Sequence, residues 1–397
     1  MNSLSNQIQP PPGKARRAER GPVRRWIADL HAWIGAFVGL FVILVGSTGI
    51  ALGFAYELMR AETGGFDITG PSADDVPRIE QMIARAQDAA GPEFTPLGYV
   101  GPHGEIVNPA PMIYGLSAPP EAGGEEQVIT FDPATGEATG SFLLHDTWTH
   151  WLIDLHYELL AGDLGAAFMA TIALLIALLA LAGLVLWWPL TRSAMAKPFS
   201  FGWRGNYVRK SFSLHSLVGF WLAIPILLWG ISGVYWNEPS WFPAAITPQL
   251  EAPDEATIAR LNHPSCVGAV TPKAAMSSAL AAVPQSSVVE MHFTAPWQPY
   301  HAIQLDARGR DQLDGDTRAW VSATCPDRVE IERLRGSEAT GPWLTALHSG
   351  RIFGAFRQLV ITMVGISFIM IGVTGLILWW RRIAPQGRRS ATDEDCG

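Results

Sequence analysis

Four long apolar runs divide the chain, at roughly residues 32–54, 164–188, 214–236 and 358–380. A helix rises about 1.5 Å per residue, so each run exceeds the ~20 residues needed to cross ~30 Å of hydrocarbon. The pattern predicts four membrane helices within segments 26–56, 151–190, 212–237 and 346–382. The polar stretches are then a tail (1–25), an outer piece (57–150), a short loop (191–211), a second outer piece (238–345) and a second tail (383–397).

Each outer piece has its own faint pattern. Ile79–Ala86 places apolar residues at helical spacing, and Val128–Phe131 reads as a β-branched strand entering an Asp132-Pro133…Gly136 turn. The second piece repeats the plan, with a helix over Pro272–Val283 and a strand and turn over Ala302–Gly309. Neither carries a catalytic signature. The fold class expected is a membrane all-α core of four transmembrane helices, internally duplicated, with two extracytoplasmic α+β domains.

Charge sets the orientation. The net charge is −8, but Lys and Arg crowd into three pieces: Lys14–Arg25, Arg192–Lys210 and Arg381–Arg389. Cytoplasmic flanks are the ones enriched in Lys and Arg, so these three lie inside and the two acidic pieces outside. Both termini are then cytoplasmic in a bacterial inner-membrane, multi-pass protein. The lipid bilayer is the expected partner and nucleic acid is not. With 48% hydrophobic and 16% charged residues and 16 Trp, the composition is ordinary for a membrane protein. The first apolar run is too long for a signal-peptide core and should stay in the mature chain. Cys266 and Cys325 fall in one exported segment, where thiols oxidise, and Cys396 in a cytoplasmic tail, which predicts a Cys266–Cys325 disulfide.

The apolar segments are also repeated in pairs. Leu155-His156…Gly162…Gly183…Trp187-Trp188 returns as Leu347-His348…Gly354…Gly375…Trp379-Trp380 at the same offsets. Likewise Leu30-His31…Gly35…Gly46…Gly49 matches Leu214-His215…Gly219…Gly230…Gly233. Topology sorts the four histidines: His31 and His215 at the inner face, His156 and His348 at the outer.

Two histidines facing across a helical bundle are the usual grip on an iron porphyrin, and filling both axial positions favours electron transfer over ligand binding. Without a Cys-x-x-Cys-His motif, any haem is held by ligation and packing alone. Gly35 and Gly219 sit one turn after their histidines, where a small residue lets a flat macrocycle approach, or lets two helices pack closely. Arg24, Arg25, Arg209, Lys210 and Arg351 lie close enough in sequence to pair with haem propionates. The Trp pairs fit the aromatic belt of a membrane interface. His145 and His150 have no counterpart in the second repeat, whose aligned residues are Ser337 and Pro342, and read as surface residues in preference to a metal or substrate contact. His103, His263, His292 and His301 show no ligand spacing.

Depth poses a problem for the outer pair. From His31 to Phe54 is 23 residues, about 35 Å, which fits the bilayer, but His156 to Trp188 is 32 residues, about 48 Å as one straight helix. Either the outer pair sits at or above the membrane surface, or the chain breaks near Gly162-Asp163 and Gly354 and returns the histidine to the bundle.

The tandem Leu-His…Gly segments, the Gly-Leu-x-Leu-Trp-Trp endings followed by Pro189 or Arg381, and Phe131-Asp132-Pro133-Ala134-Thr135-Gly136-Glu137 together resemble the bacterial PepSY-associated transmembrane family, from about Trp26 to Arg382. The resemblance implies PepSY-like outer domains on four inner-membrane helices. Some members resemble ferric-siderophore reductases with two b haems, in which electrons cross to the periplasm and reduce iron in an imported siderophore complex. Others carry an attached flavin reductase; here no Rossmann Gly-x-Gly-x-x-Gly fingerprint occurs, so the donor is expected to be separate.

The expectation is thus a membrane cytochrome with two haem b per chain. His31 and His215 are the axial ligands of the inner haem iron, His156 and His348 those of the outer, with Gly35, Gly219 and Arg351 also at the cofactor sites. A quinol or a cytoplasmic reductase is the donor and a ferric siderophore or other Fe(III) chelate the acceptor. The rival is a non-enzymatic PepSY-type binding or regulatory protein that grips a peptide or protease while the histidines merely pack. A small-solute permease is weaker, since the spans lack intramembrane acids and, apart from Pro225, Gly-Pro breaks.

Overall fold

The computed structural model describes residues 21–64, 75–102, 110–188, 205–243, 246, 253–262, 268–307, 317–333 and 339–384. Its helices are α1 (Pro22–Leu52), α2 (Ala55–Thr63), α3 (Ile79–Ala90), α4 (Trp148–Tyr157), α5 (Gly162–Trp187), α6 (Tyr207–Trp221), α7 (Ala223–Asn237), α8 (Glu255–Leu261), α9 (Pro272–Ala282), α10 (Thr340–His348) and α11 (Arg357–Ile383). Strands β1 (Thr95–Val100), β2 (Met112–Leu116), β3 (Glu126–Phe131) and β4 (Ala138–Leu143) come from the first polar piece. Strands β5 (Ser286–His292), β6 (Tyr300–Ala307), β7 (Thr317–Ser322) and β8 (Val329–Arg333) come from the second.

Helix α1, helix α5 and the stretch Thr340–Ile383 are long and apolar enough to cross a membrane. A fourth span exists if α6 and α7 are taken together, and these two are bent by 68°. The third apolar run is therefore broken, where one continuous helix was expected. Pro225, in the first turn of α7, has no N–H for the carbonyl of Trp221, and its ring crowds that carbonyl, so the helix stops at Trp221 and restarts after Leu222. The outward sides of the bundle are apolar, with Phe37, Leu40, Leu178, Ile224, Leu359 and Met363 exposed, as lipid contact requires. Exposed tryptophans mark both ends: Trp26, Trp188, Trp221 and Trp380 at one, Trp148, Trp236, Trp241 and Trp343 at the other.

The two polar pieces do not form separate sheets. Their strands make one eight-stranded antiparallel sheet in the order β4-β3-β2-β1-β5-β6-β7-β8, in which two four-stranded meanders meet through the first strand of each. The junction runs over Gly98↔His292, Tyr99↔Met291 and Val100↔Glu290. Tyr114 of β2 lies across Gly98 of β1 and bonds His292 Nδ1 at 2.8 Å; any Cβ on Gly98 would fall inside the tyrosine ring. Helices α3 and α9 supply residues to one core shared by both halves, which includes Ile79, Met82, Phe131, Met276, Met291 and Ile303, all fully buried. Burying each such side chain stabilises the fold by ~1.5–3 kcal/mol. The expected turn after β3 forms as read: Asp132 Oδ1 accepts from the amides of Ala134 and Thr135 (2.8 Å each), and Gly136 takes positive φ. The turn expected at Gly309 lies outside the described residues.

Candidate functional site

Of the two alternatives that the length leaves open, the structure takes the break, in both the second and the fourth apolar segments. After α4, Leu159, Leu160 and Gly162 all adopt positive φ (54°, 60° and 58°) before α5 begins. Left-handed leucines cost ~1–3 kcal/mol each, so packing elsewhere holds this reversal in place. After α10, Gly350 (φ 76°) and a 3-10 segment, Arg351–Phe356, with Gly354 at φ 50°, ψ −126°, precede α11. In each case the histidine before the break is returned to the bundle, at the end nearer the sheet.

There His156 and His348 face each other with ring centroids 6.3 Å apart and planes at 64°. Thr48 Oγ1 of α1 lies 2.6 Å from His156 Nδ1 and itself donates to the Leu44 carbonyl at 2.9 Å. With its proton engaged, that oxygen accepts from Nδ1–H, which leaves Nε2 as the nitrogen with a free lone pair. The arrangement recurs at His348, where Ser232 Oγ lies 3.0 Å from Nδ1 and donates to Trp229 O at 3.1 Å. The glycine after each hydroxyl residue makes room for the imidazole: a Cβ on Gly49 or Gly233 would stand 3.4 Å from Cε1 of His156 or His348.

At the other end, His31 and His215 stand at the same 6.3 Å, with planes at 88°. Thr374 Oγ1 is 3.0 Å from His215 Nδ1 and donates to Met370 O, and Gly375 backs the ring. His31 packs on Gly183 in the same way, but the residue before that glycine is Ala182. Accordingly His31 Nδ1 is buried with no hydrogen-bond partner among the described residues. Every histidine of the four thus rests on an Xaa-Gly step of a neighbouring helix, and three have a hydroxyl at Xaa. Those hydroxyls escaped the sequence reading, although Thr48-Gly49 and Ser232-Gly233 hold equal places in the first repeat. His31 and Thr48 are 17 residues apart on α1, so the two pairs lie about 26 Å apart along the bundle.

The repeated glycines divide by task. Gly46 faces Gly365, and Gly372 faces Gly39, where a Cβ on Gly46 or Gly372 would lie 2.9 Å from the opposite backbone carbonyl; these let α1 and α11 pack closely. Gly230 meets Ala173 and Ala177 of α5 similarly. Gly49, Gly233, Gly183 and Gly375 back the histidines. Gly35 and Gly219 have nothing within 4 Å of a Cβ, so neither is a packing glycine, and open space lies one turn from His31 and from His215.

Two imidazoles that aim Nε2 at one metal ion, each ~2 Å away, with ~1 Å more from nitrogen to ring centre, have centroids ~6 Å apart. Both pairs meet that spacing. Arg351, three residues beyond His348, has its Nε buried without a partner among the described residues. Arg24 Nε is likewise buried without a partner among the described residues, but its Nη2 donates to the carbonyls of Leu186 (2.5 Å) and Trp188 (2.8 Å) and caps α5. The basic residues of the loop before 205 lie outside the described residues.

Cys325 is disulfide-bonded, and Cys266 lies outside the described residues. His292 and His301 serve the sheet: His301 is buried on β6 with Nε2–H donating to Val270 O at 3.0 Å. His103 and His263 lie outside the described residues. His145 and His150, read as surface residues, do come together, with ring centroids 4.4 Å apart and Asp154 beside them.

Residues 28–382 match the family model of the PepSY-associated TM region. The chain belongs to this family. The match takes in all four apolar runs and both strand-bearing pieces, so this PepSY-associated chain is a membrane-spanning member over nearly its whole length. No curated protein matches it in sequence.

Proposed function

We propose that this PepSY-associated protein carries two b-type haems and passes electrons across the bacterial inner membrane to an Fe(III) chelate outside, as a ferric-siderophore reductase would. The observation that carries the reading is the pair of histidine pairs, each at 6.3 Å and each ring seated on a glycine. Mirrored sheet order and mirrored histidine seats also favour a doubled unit of four spans.

Bound haem supplies a one-electron carrier at each end of the bundle. The chain's own contribution is positional. Thr48, Ser232 and Thr374 hold three imidazoles in the tautomer that leaves Nε2 for iron, and such outer partners also raise ligand basicity. Gly35 and Gly219 leave the space beside the distal pair clear. Arg351, three residues beyond His348 and with a buried nitrogen that has no partner among the described residues, suits a propionate. On the charge argument the distal pair faces the cytoplasm, where a quinol or a soluble reductase delivers electrons, and the sheet lies outside.

Detergent-purified protein from haem-replete cells should show a reduced-minus-oxidised b-type spectrum with about two haems per chain, as the two pairs require. His215→Ala and His348→Ala should each remove one. A colourless preparation would overturn the proposal and favour the binding-protein reading.

A further inference from the structure

Helix α4 carries a second chemical face. His156 turns into the bundle, whereas Asp154, two residues earlier and ~200° round the helix, turns the other way, as does His150 one turn before it. His145 stands in the short 3-10 turn just ahead of α4, with its ring edge-on to His150. One ligand atom from each of His145, His150 and Asp154 lies within 4.8 Å of the others, and His150 Nε2 is 3.5 Å from Asp154 Oδ1. Three atoms bound to one ion at ~2 Å lie ~3–3.5 Å from one another, so side-chain rotations that close the widest separation by ~1.5 Å would let the three share one.

The surroundings are built and open. His150 and Asp154 line a cleft of about 360 Å³ with Tyr157, Trp236 and Asn237. Its far wall, Trp236, is in ring contact with His348 at 5.6 Å. The frame is fixed: Asn237 Nδ2 donates to Tyr157 O (2.7 Å) and Ala166 O (3.1 Å), and Glu62 of α2 accepts from the Trp148 and Thr149 amides at the start of α4. A surface His–Asp pair one turn apart adds little to stability and gives no reason for a third ligand group to converge on it.

We propose that His145, His150 and Asp154 form a site for one first-row transition-metal ion, and that the ion is Fe(II) produced by the reaction assigned above, a role that rests on that reading. Two imidazoles and one carboxylate with open positions suit Fe(II), whereas oxygen chelates prefer the harder Fe(III). The step balances. Fe(III) in the chelate would gain one electron and become Fe(II), and a ferrous haem, which His156 and His348 would hold, would supply that electron and return to the ferric state. The chelate's oxygens leave the ion, and two imidazole nitrogens and a carboxylate oxygen replace them. Of the sheet-proximal pair, His156 sits on the opposite face of the same helix, ~10 Å away across its width, and His348 comes from α10.

The test uses the full chain in detergent with any affinity tag removed, titrated anaerobically with Co(II) as a visible stand-in for Fe(II). One Co(II) per chain is expected, and the His145→Ala/His150→Ala double variant should bind at least tenfold more weakly, with Asp154→Asn intermediate. An unchanged titration in the double variant, or no binding by the parent, would overturn the site. In a second arm, reduced protein freed of reductant is mixed with Fe(III)–nitrilotriacetate and passed through a desalting column. Wild type should retain one Fe(II) per chain and the double variant none, at equal haem content. Equal retention would overturn the product-site role. A haem-free protein that still binds Co(II) through the triad would overturn the proposed function and support the metal site by itself.

Discussion

Thr48 accepts the Nδ1 proton of His156 across 2.6 Å, joining the C-terminal end of the long first helix to a residue 108 positions away. The bond fixes the imidazole before any ligand arrives. Replacing the threonine by valine keeps the shape and removes the acceptor, so the ring loses its orientation and its tautomer preference. Outer-shell partners of this kind are worth ~10–100-fold in ligand affinity. Thr48→Val should therefore weaken retention of the sheet-proximal haem by about that factor, measured as haem loss to apomyoglobin, and leave the distal haem untouched.

Ala182 gives the converse experiment. It occupies the place taken by Thr48, Ser232 and Thr374 at the other three histidines, and His31 Nδ1 has no partner among the described residues as a result. Ala182→Ser should supply the hydroxyl. A hydrogen bond worth ~1 kcal/mol that favours the more basic imidazole and the ferric state would lower a one-electron potential by about 40 mV. Redox titration should show that drop at the distal haem alone; an unmoved potential would mean that the serine does not reach the ring.

The glycines predict opposite outcomes from the same kind of change. Gly46→Val drives methyl groups toward the Gly365 carbonyl, 2.9 Å from an ideal Cβ, and should separate α1 from α11 at a cost of ~1–3 kcal/mol, seen as a lower melting temperature and yield. At Gly219 a Cβ meets nothing within 4 Å, and Gly219→Leu removes a helix-weakening glycine, so folding should be unharmed or improved by up to ~1 kcal/mol. Its effect should fall on haem content, with the distal haem lost from a well-folded chain.

Much of this arrangement was legible in the sequence, because the repeat offsets and the hydrophobic lengths are local properties of the chain. The excess length after His156 and His348 leaves two readings open, a pair at or above the membrane surface or breaks near Gly162 and Gly354, and the structure takes the second, with both histidines set back against the bundle. What escaped depended on partners far apart in sequence. The pairing of Gly98 with His292 makes one sheet of two expected domains, and strand edges carry no local mark of the partner they take. The convergence of His145 on His150 and Asp154 depends on where α4 starts, at Trp148 after Thr147 caps it, and helix ends are the least certain feature of a hydrophobic pattern. Pro225 was visible, yet the 68° bend at Leu222 also required knowing that neighbouring helices accommodate it.

Cys325 bears on the second half of the sheet. It follows β7 directly, and its amide donates to Ser322 Oγ at 3.1 Å, so the disulfide holds the end of an interior strand. Non-reducing peptide mapping should recover a Cys266–Cys325 link. Cys325→Ser should destabilise the sheet by ~2–5 kcal/mol, read by thermal melting in detergent. A free Cys266 thiol, labelled without reduction, would sink the pairing.

His301 predicts how that sheet responds to acid. The ring is buried on β6, Nε2–H donates to Val270 O, and Nδ1 has no partner among the described residues, so a second proton would enter a site with nothing to receive it. Burial, the larger influence, holds its pKa below the ordinary 6.5, and the Val270 contact offsets this in part. His292 is held low too, by burial and then by Arg318. For both, the unfolded chain binds protons first as pH falls, so stability is full above pH 6.5 and declines from there toward the lowered folded-state values. His301→Gln keeps a donor for Val270 O and does not titrate. Melting temperatures between pH 7.5 and 5 should fall less steeply in that variant than in wild type; parallel curves would show that proton uptake at His301 does not set the acid sensitivity of the sheet.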